Sequence, residues 1–150
     1  MTTELTEILK PDVIPGGRHS DERGIVSFVN DFRFEDIKRF YSIEHRDTQT
    51  IRAWQGHRRE EKWFYVVQGS FMIAWVKIDN WEKPDAGQRA DHKLLYSKQS
   101  EILHIPGGYA NGFRALEPHS KLIVFSNFTV EESSSDDYRF SKELWFNWTN

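Results

Sequence analysis

The stretch IRAWQGHRREEKWFYVVQG, residues Ile51–Gly69, sets two runs of aromatic and aliphatic residues on either side of a charged, histidine-bearing turn and closes on a glycine. Runs of this composition, bounded by polar or glycine positions, read as β-strands joined into hairpins. The next run, SFMIAWVKI (Ser70–Ile78), is apolar at successive rather than alternate positions, which implies a strand covered on both faces.

Working outward, FYSIEH (Phe40–His45) reads as a strand, and DERG (Asp21–Gly24) leads into another, IVSFVNDF. Downstream, Asp79–Asp91 is a long polar connection. The short runs KLLYS, ILHI, GFRAL and KLIVFSNF follow, separated by turn material such as SKQSE, PGG and EPHS. Many short strands with little helical period predict an all-β sandwich or barrel. Residues 1–20, punctuated by Pro11, Pro15, Gly16 and Gly17, read as an irregular N-terminal arm. The segment SSSDDYRFSKELWFNW reads as holding a short helix from Asp136, with Tyr138, Leu144 and Trp145 turned inward. No repeat or linker divides the chain, so residues 1–150 are expected to form a single domain.

Composition narrows the function. A net charge of -3 and a pI near 6.1 give no basic footprint for nucleic acid. The chain has no cysteine, which removes disulfides, thiolate metal sites and thiol nucleophiles and fits a reducing cytoplasm. No run approaches the roughly 20 apolar residues of a membrane span, and the expectation is a soluble, cytoplasmic protein. Aromatic residues make up 15% of the chain, enough to require a large core or an interface.

The motifs DERG before an apolar strand, IRAWQGH, KWFYVVQG, LHIPGGYANGF and the C-terminal YRF, in that order over residues 21–148, resemble the nucleotide-sugar cupins. These are the dTDP-4-dehydrorhamnose 3,5-epimerases and the dTDP-sugar 3,4-ketoisomerases. The resemblance implies a cupin jelly-roll β-barrel, usually a homodimer in which N-terminal strands reach into the partner's sheet. It also implies an isomerase-type reaction on a nucleotide-activated 4-keto sugar, by proton abstraction next to the ketone and with no cofactor.

Carried over residue by residue, the family's Arg-Gly-x-His box corresponds to Arg52-Ala53-Trp54-Gln55, so the position of the usual basic histidine is Gln55, while the ketoisomerases' second histidine corresponds to His57. The histidine of the family's later box corresponds to Asn111, and the tyrosine that serves as general acid falls near Phe128. An amide cannot accept the proton that an imidazole takes near neutral pH. Chemistry of the family's kind would therefore rest on His57 as catalytic base. Arg23, Arg52 and Lys62 match phosphate- and substrate-contacting positions, with Gln55, Asn111 and Tyr109 as further substrate-binding candidates. Arginine and lysine suit a diphosphate because they present cationic donors in forked or point-charge form.

Blander readings accompany each assignment: His57 as a histidine of a solvated turn, Asp21 and Arg23 as a simple pair, Arg52 and Lys62 as rim charges, and His104 as a hydrogen-bonded structural residue. Metal cupins use His-x-His, a glutamate and a later histidine, but Gln55 and Asn111 leave one imidazole and one carboxylate, too few for a metal site. The alternative function is a non-catalytic cupin that binds a sugar nucleotide or another anionic carbohydrate. Neither nucleic acid nor a membrane is expected as a partner. Homodimerisation is expected from the apolar Phe71–Ile78 faces and the N-terminal arm.

Overall fold

The computed structural model describes residues 9–149. Eleven strands and one short helix come first, in the order β1 (Asp12–Pro15), β2 (Gly17–Asp21), β3 (Gly24–Phe28), β4 (Arg39–His45), β5 (Ile51–His57), β6 (Lys62–Gln68), β7 (Ser70–Lys77), β8 (Asp91–Tyr96), β9 (Glu101–Ile105), β10 (Tyr109–Ala115), β11 (Ser120–Ser126) and α1 (Val130–Ser134). A two-residue strand, β12 (Tyr138–Arg139), closes the set. They form two five-stranded antiparallel sheets, ordered β1-β9-β6-β11-β4 and β12-β5-β10-β7-β8, with β2 and β3 as a separate hairpin. This is the jelly-roll barrel expected from the sequence.

Alternation along the strands decides which side chains enter the barrel. In β4, Phe40, Ser42 and Glu44 are exposed, whereas Tyr41, Ile43 and His45 turn inward. In β6, Phe64 and Val66 join Phe71, Ile73, Phe113, Leu122 and Val124 in the core between the sheets. β7 is covered on both sides, as its unbroken apolar run predicts. Phe71 and Ile73 face the inner core, and Ala74 and Val76 face a second cluster with Trp54, Trp145 and Trp148.

That second cluster corrects one expectation. The outer face of Phe71–Ile78 is covered by the chain's own C-terminal segment, so it is no ground for a dimer. Trp54 donates from its indole nitrogen to the Leu144 carbonyl at 2.9 Å, and Arg114 binds the Trp148 carbonyl, tying that segment down.

Two further expectations are corrected. The helix lies at Val130–Ser134, upstream of Asp136. Thr129 caps it, and Glu132, three residues later, returns the bond to the Thr129 amide. That reciprocal pair satisfies two amides that a helix start leaves open, whereas Asp136 spends its carboxylate elsewhere. The arm is not irregular throughout, because β1 pairs with β9 and β2 with β3. These strands carry little alternation and are held by edge pairing, and Pro15 ends β1 where no donor is needed.

Candidate functional site

A cavity of about 580 Å³ opens between the two sheets, lined from β4 by Arg39, Tyr41 and Ile43, from β5 by Arg52 and Gln55, from β6 by Lys62 and Phe64, and from β10 by Asn111 and Phe113. Ser133 and Arg139 complete its polar wall. Arg52 and Gln55 are three apart and still share the cavity. The pairing of β5 with β10 sets Arg52 opposite Phe113 and Gln55 opposite Asn111, so β5 carries one extra residue. Such a bulge turns side chains of odd spacing to one face.

Among the described residues, no aspartate or glutamate lines the cavity, while four cations do. Two of them are partly neutralised from behind. Arg39 meets the fully buried Glu60 at 3.3 Å, and Arg139 pairs with Asp137 at 2.6 Å. The other two are held by neutral groups. Arg52 donates to Nε2 of His45 at 2.9 Å, and Lys62 donates to the amide oxygen of Gln55 at 3.1 Å. Accepting at Nε2 requires the His45 proton on Nδ1, the neutral tautomer. Burial, then the Arg52 charge, holds the His45 pKa below the ordinary imidazole value.

Lys62 is buried, at 3% exposure, and burial lowers its pKa to about 8; the charge of Glu60 opposes the shift and that of Arg39 adds to it. Tyr41 lies beneath both cations, with the Arg39 guanidinium 5.0 Å and the Lys62 ammonium 5.9 Å from its ring centroid. Burial pushes its phenol up to about 12, against the opposing charge of Arg39.

A buried polar knot braces this wall. Glu60 accepts from the hydroxyls of Ser126 at 2.6 Å and Ser133 at 2.7 Å as well as from Arg39. The Asp136 carboxylate accepts three backbone amides of the β5–β6 turn, those of Arg58 at 2.9 Å, Arg59 at 2.9 Å and Glu60 at 2.8 Å. The charged turn that looked solvated is thus fixed from the C-terminal side, although the Arg58 and Arg59 side chains remain exposed.

Of the residues singled out from sequence, Arg52, Gln55, Lys62 and Asn111 converge on the cavity; Arg23, His57 and Tyr109 lie elsewhere. His57 is buried in the knot, its Nδ1 2.8 Å from the Asp136 carbonyl and 3.3 Å from Glu60. Burial, then the Lys62 charge, keeps its pKa below the ordinary value, so a neutral imidazole donates from Nδ1 there. Arg23 is exposed at the β2–β3 turn and pairs with Asp21 at 2.7 Å; Gly24, at φ +139°, supplies the turn's unusual backbone. Tyr109 belongs to the inner core, where burial, then the Asp91 charge, raises its pKa. Phe128 does not line the cavity and lends its carbonyl to Arg39 at 3.1 Å. His104 is a structural residue: it hydrogen-bonds Glu61 at 2.7 Å and Asp12 at 3.1 Å and stacks on Trp63.

Sequence reasoning missed Arg39, Tyr41, Ser133 and Arg139. The first two were visible in principle, since they fall in phase with Ile43 on β4. Ser133 and Arg139 enter only through the path of the chain after β11. Among the described residues, no group of three or more His, Asp or Glu side chains is arranged to hold a metal ion, and no helix is long and apolar enough to cross a membrane. A second cleft of about 660 Å³ on the outer face, lined by Trp145, Phe146 and Trp148, mixes Arg89 and Lys142 with Glu143 and lacks the interior cavity's one-signed charge.

No protein-family model and no curated protein is matched by the sequence. Solved structures are. The fold is similar to the rmlC epimerase of Mycobacterium tuberculosis, with a TM-score of 0.73 at 18% identity over 91% of this chain and 71% of that one. It is similar to the 3,4-ketoisomerase QdtA of Thermoanaerobacterium thermosaccharolyticum, solved as a variant in complex with TDP-4-keto-6-deoxyglucose, with a TM-score of 0.70 at 18% identity over 89% of this chain and 90% of that one. It is also similar to ChmJ, a 3'-monoepimerase of Streptomyces bikiniensis in complex with dTDP-quinovose, with a TM-score of 0.72 at 13% identity over 88% and 70% of the two chains. The chain has the fold of these nucleotide-sugar cupins.

Proposed function

We propose that the interior cavity binds a nucleotide-activated sugar, with the diphosphate against Arg39, Arg52, Lys62 and Arg139 and the sugar among Tyr41, Gln55 and Asn111. The observation that carries this reading is the cavity's charge: among the described residues, four cations line it and no carboxylate does. In a partly dry cavity such cations attract a multiply charged anion far more strongly than at a surface. The sugar nucleotides held by structures of this fold supply the ligand class.

Capture of the ligand without the family's histidine chemistry is the reading that the geometry supports best. The cavity presents Gln55 and Asn111 where a proton acceptor would be needed, and neither amide is a base. The isomerase reading is kept as a second possibility by one observation, the amine of Lys62, which is basic and faces the cavity. Incubation with a dTDP-4-keto-6-deoxysugar in deuterated water separates the two. Tight binding with no deuterium at C3 or C5 by NMR is the expected result. Uptake that survives His57→Asn and disappears in Lys62→Met would instead assign proton transfer to Lys62.

A homodimer belongs to this proposal on new grounds. Ile25, Val26 and Phe28 of the β2–β3 hairpin are exposed, as are Phe34 and Phe40 on the outer face of the first sheet. A second copy laid across them would bury apolar surface unusual for a monomer. Light scattering at micromolar concentration tests it, and a monomer contradicts it.

A further inference from the structure

We propose that Lys62 is a covalent capture point for carbonyl compounds: its amine forms an imine with an anionic aldehyde or ketone that the surrounding arginines hold in the cavity. The inference rests on the anion-binding reading above for the choice of ligand, but not for the reactivity of the amine.

The geometry is specific to this lysine. Its Nζ is buried, points to a cavity open enough for a sugar-sized guest, and has a neutral amide, Gln55, as its hydrogen-bond partner rather than a carboxylate. A buried ammonium without a direct counter-ion is costly, and the cations around it raise that cost. Arg39 from β4, Arg52 from β5 and Arg139 from β12 face the same cavity. Opposing them are Glu60, held behind the wall by Ser126, Ser133 and Arg39, and Asp137, paired with Arg139. Tyr41 and His57, the remaining titratable neighbours, are both neutral at neutral pH. Desolvation and neighbouring cations are the two influences that turn a lysine into a nucleophile.

The step is balanced without a cofactor. The neutral amine attacks the carbonyl carbon, a C–N bond forms, and the carbonyl oxygen gathers one proton from the nitrogen and one from solvent. It leaves as water, and a cationic C=N bond remains. That product stays in the same ring of aromatic and amide groups, over the Tyr41 ring.

Pyridoxal 5′-phosphate is a suitable probe, because it joins an aldehyde to a phosphate. The protein is mixed with it at pH 8, reduced with borohydride, and mapped by peptide mass spectrometry. With the Lys62 pKa at about 8, roughly half of its amine is neutral at pH 8, against about 0.3% for an ordinary lysine near 10.5. Lys62 should therefore react on the order of 100-fold faster than exposed Lys77 or Lys98, and about 50-fold more slowly at pH 6 than at pH 8. Labelling of Lys62 no faster than of Lys77 and Lys98, in protein with an unaltered melting temperature, would overturn the proposal. So would equal labelling at the two pH values. Lys62→Met should abolish the fast phase only. A parallel melting-temperature shift with dTDP keeps the two readings apart. A shift without fast labelling removes the imine and leaves the anion site, and fast labelling without a shift does the reverse.

Discussion

Replacing Asp136 with alanine removes a carboxylate that is 2% exposed and accepts three backbone amides at 2.8–2.9 Å. Hydrogen bonds to a charged acceptor contribute about 1.5–3 kcal/mol each. The Arg58 and Arg59 side chains are exposed, so water can reach their amides in the variant, but Glu60 is buried and its amide is left without a partner. The expected loss is about 3–5 kcal/mol, which for a chain of this size lowers the melting temperature by roughly 6–20 °C. Urea unfolding followed by circular dichroism measures it. Asp137→Ala is the internal control, since Asp137 is exposed and its pair with Arg139 should contribute about 0–1 kcal/mol. If Asp136→Ala costs no more than Asp137→Ala, the C-terminal segment does not hold the β5–β6 turn as described.

Glu60→Gln keeps the shape but loses the charge that meets Arg39 and takes the Ser126 and Ser133 hydroxyls, and it should cost about 2–4 kcal/mol in the same unfolding assay. Gly69→Ala places a Cβ at φ +75° and 2.1 Å from the Ser120 hydroxyl, which is committed to the Ser70 amide and the Glu117 carbonyl; a loss of about 2–4 kcal/mol should appear as an earlier urea midpoint. His45 is kept neutral in the fold, so its folded pKa lies below 6.5 and protonation favours the unfolded chain. Its contribution is fully present above pH 6.5 and is lost as pH falls below that value, at up to about 1.4 kcal/mol per pH unit. His57 has the same sign, and His104, whose hydrogen bonds to Glu61 and Asp12 outweigh its burial and raise its pKa, has the opposite one. Unfolding curves from pH 7.5 to 5 should therefore flatten in His45→Gln, and an unchanged slope would contradict the assignment.

The barrel was readable because its strands alternate or, in β7, do not: both patterns translate directly into one or two covered faces. Arg52, Gln55, Lys62 and Asn111 could be named because three motifs resemble those of the nucleotide-sugar cupins, and their convergence on one cavity is what the structure adds. What could not be read is long-range. Strand alternation by itself puts positions 55 and 57 on one face, yet His57 is buried away from the cavity that Gln55 lines. The partners that enclose its imidazole include the Asp136 carbonyl, 79 positions away. Asp136 looked like a helix cap because its side chain can serve as one, but three amides of residues 58–60 outcompete that local use, and Thr129 with Glu132 makes the better cap. β1 and β2 have too little apolar pattern to announce themselves and exist because β9 and β3 offer unpaired edges.

The central claim is that the cavity between the sheets is an anion site built by Arg39, Arg52, Lys62 and Arg139. Calorimetric titration of the purified protein with dTDP tests it most directly. The account predicts saturable binding at one site per chain, weakened at least tenfold in Arg52→Ala and again in Lys62→Met, and unaffected by Arg89→Ala in the outer cleft. No heat of binding and no shift in melting temperature at millimolar dTDP, in folded protein, would contradict it.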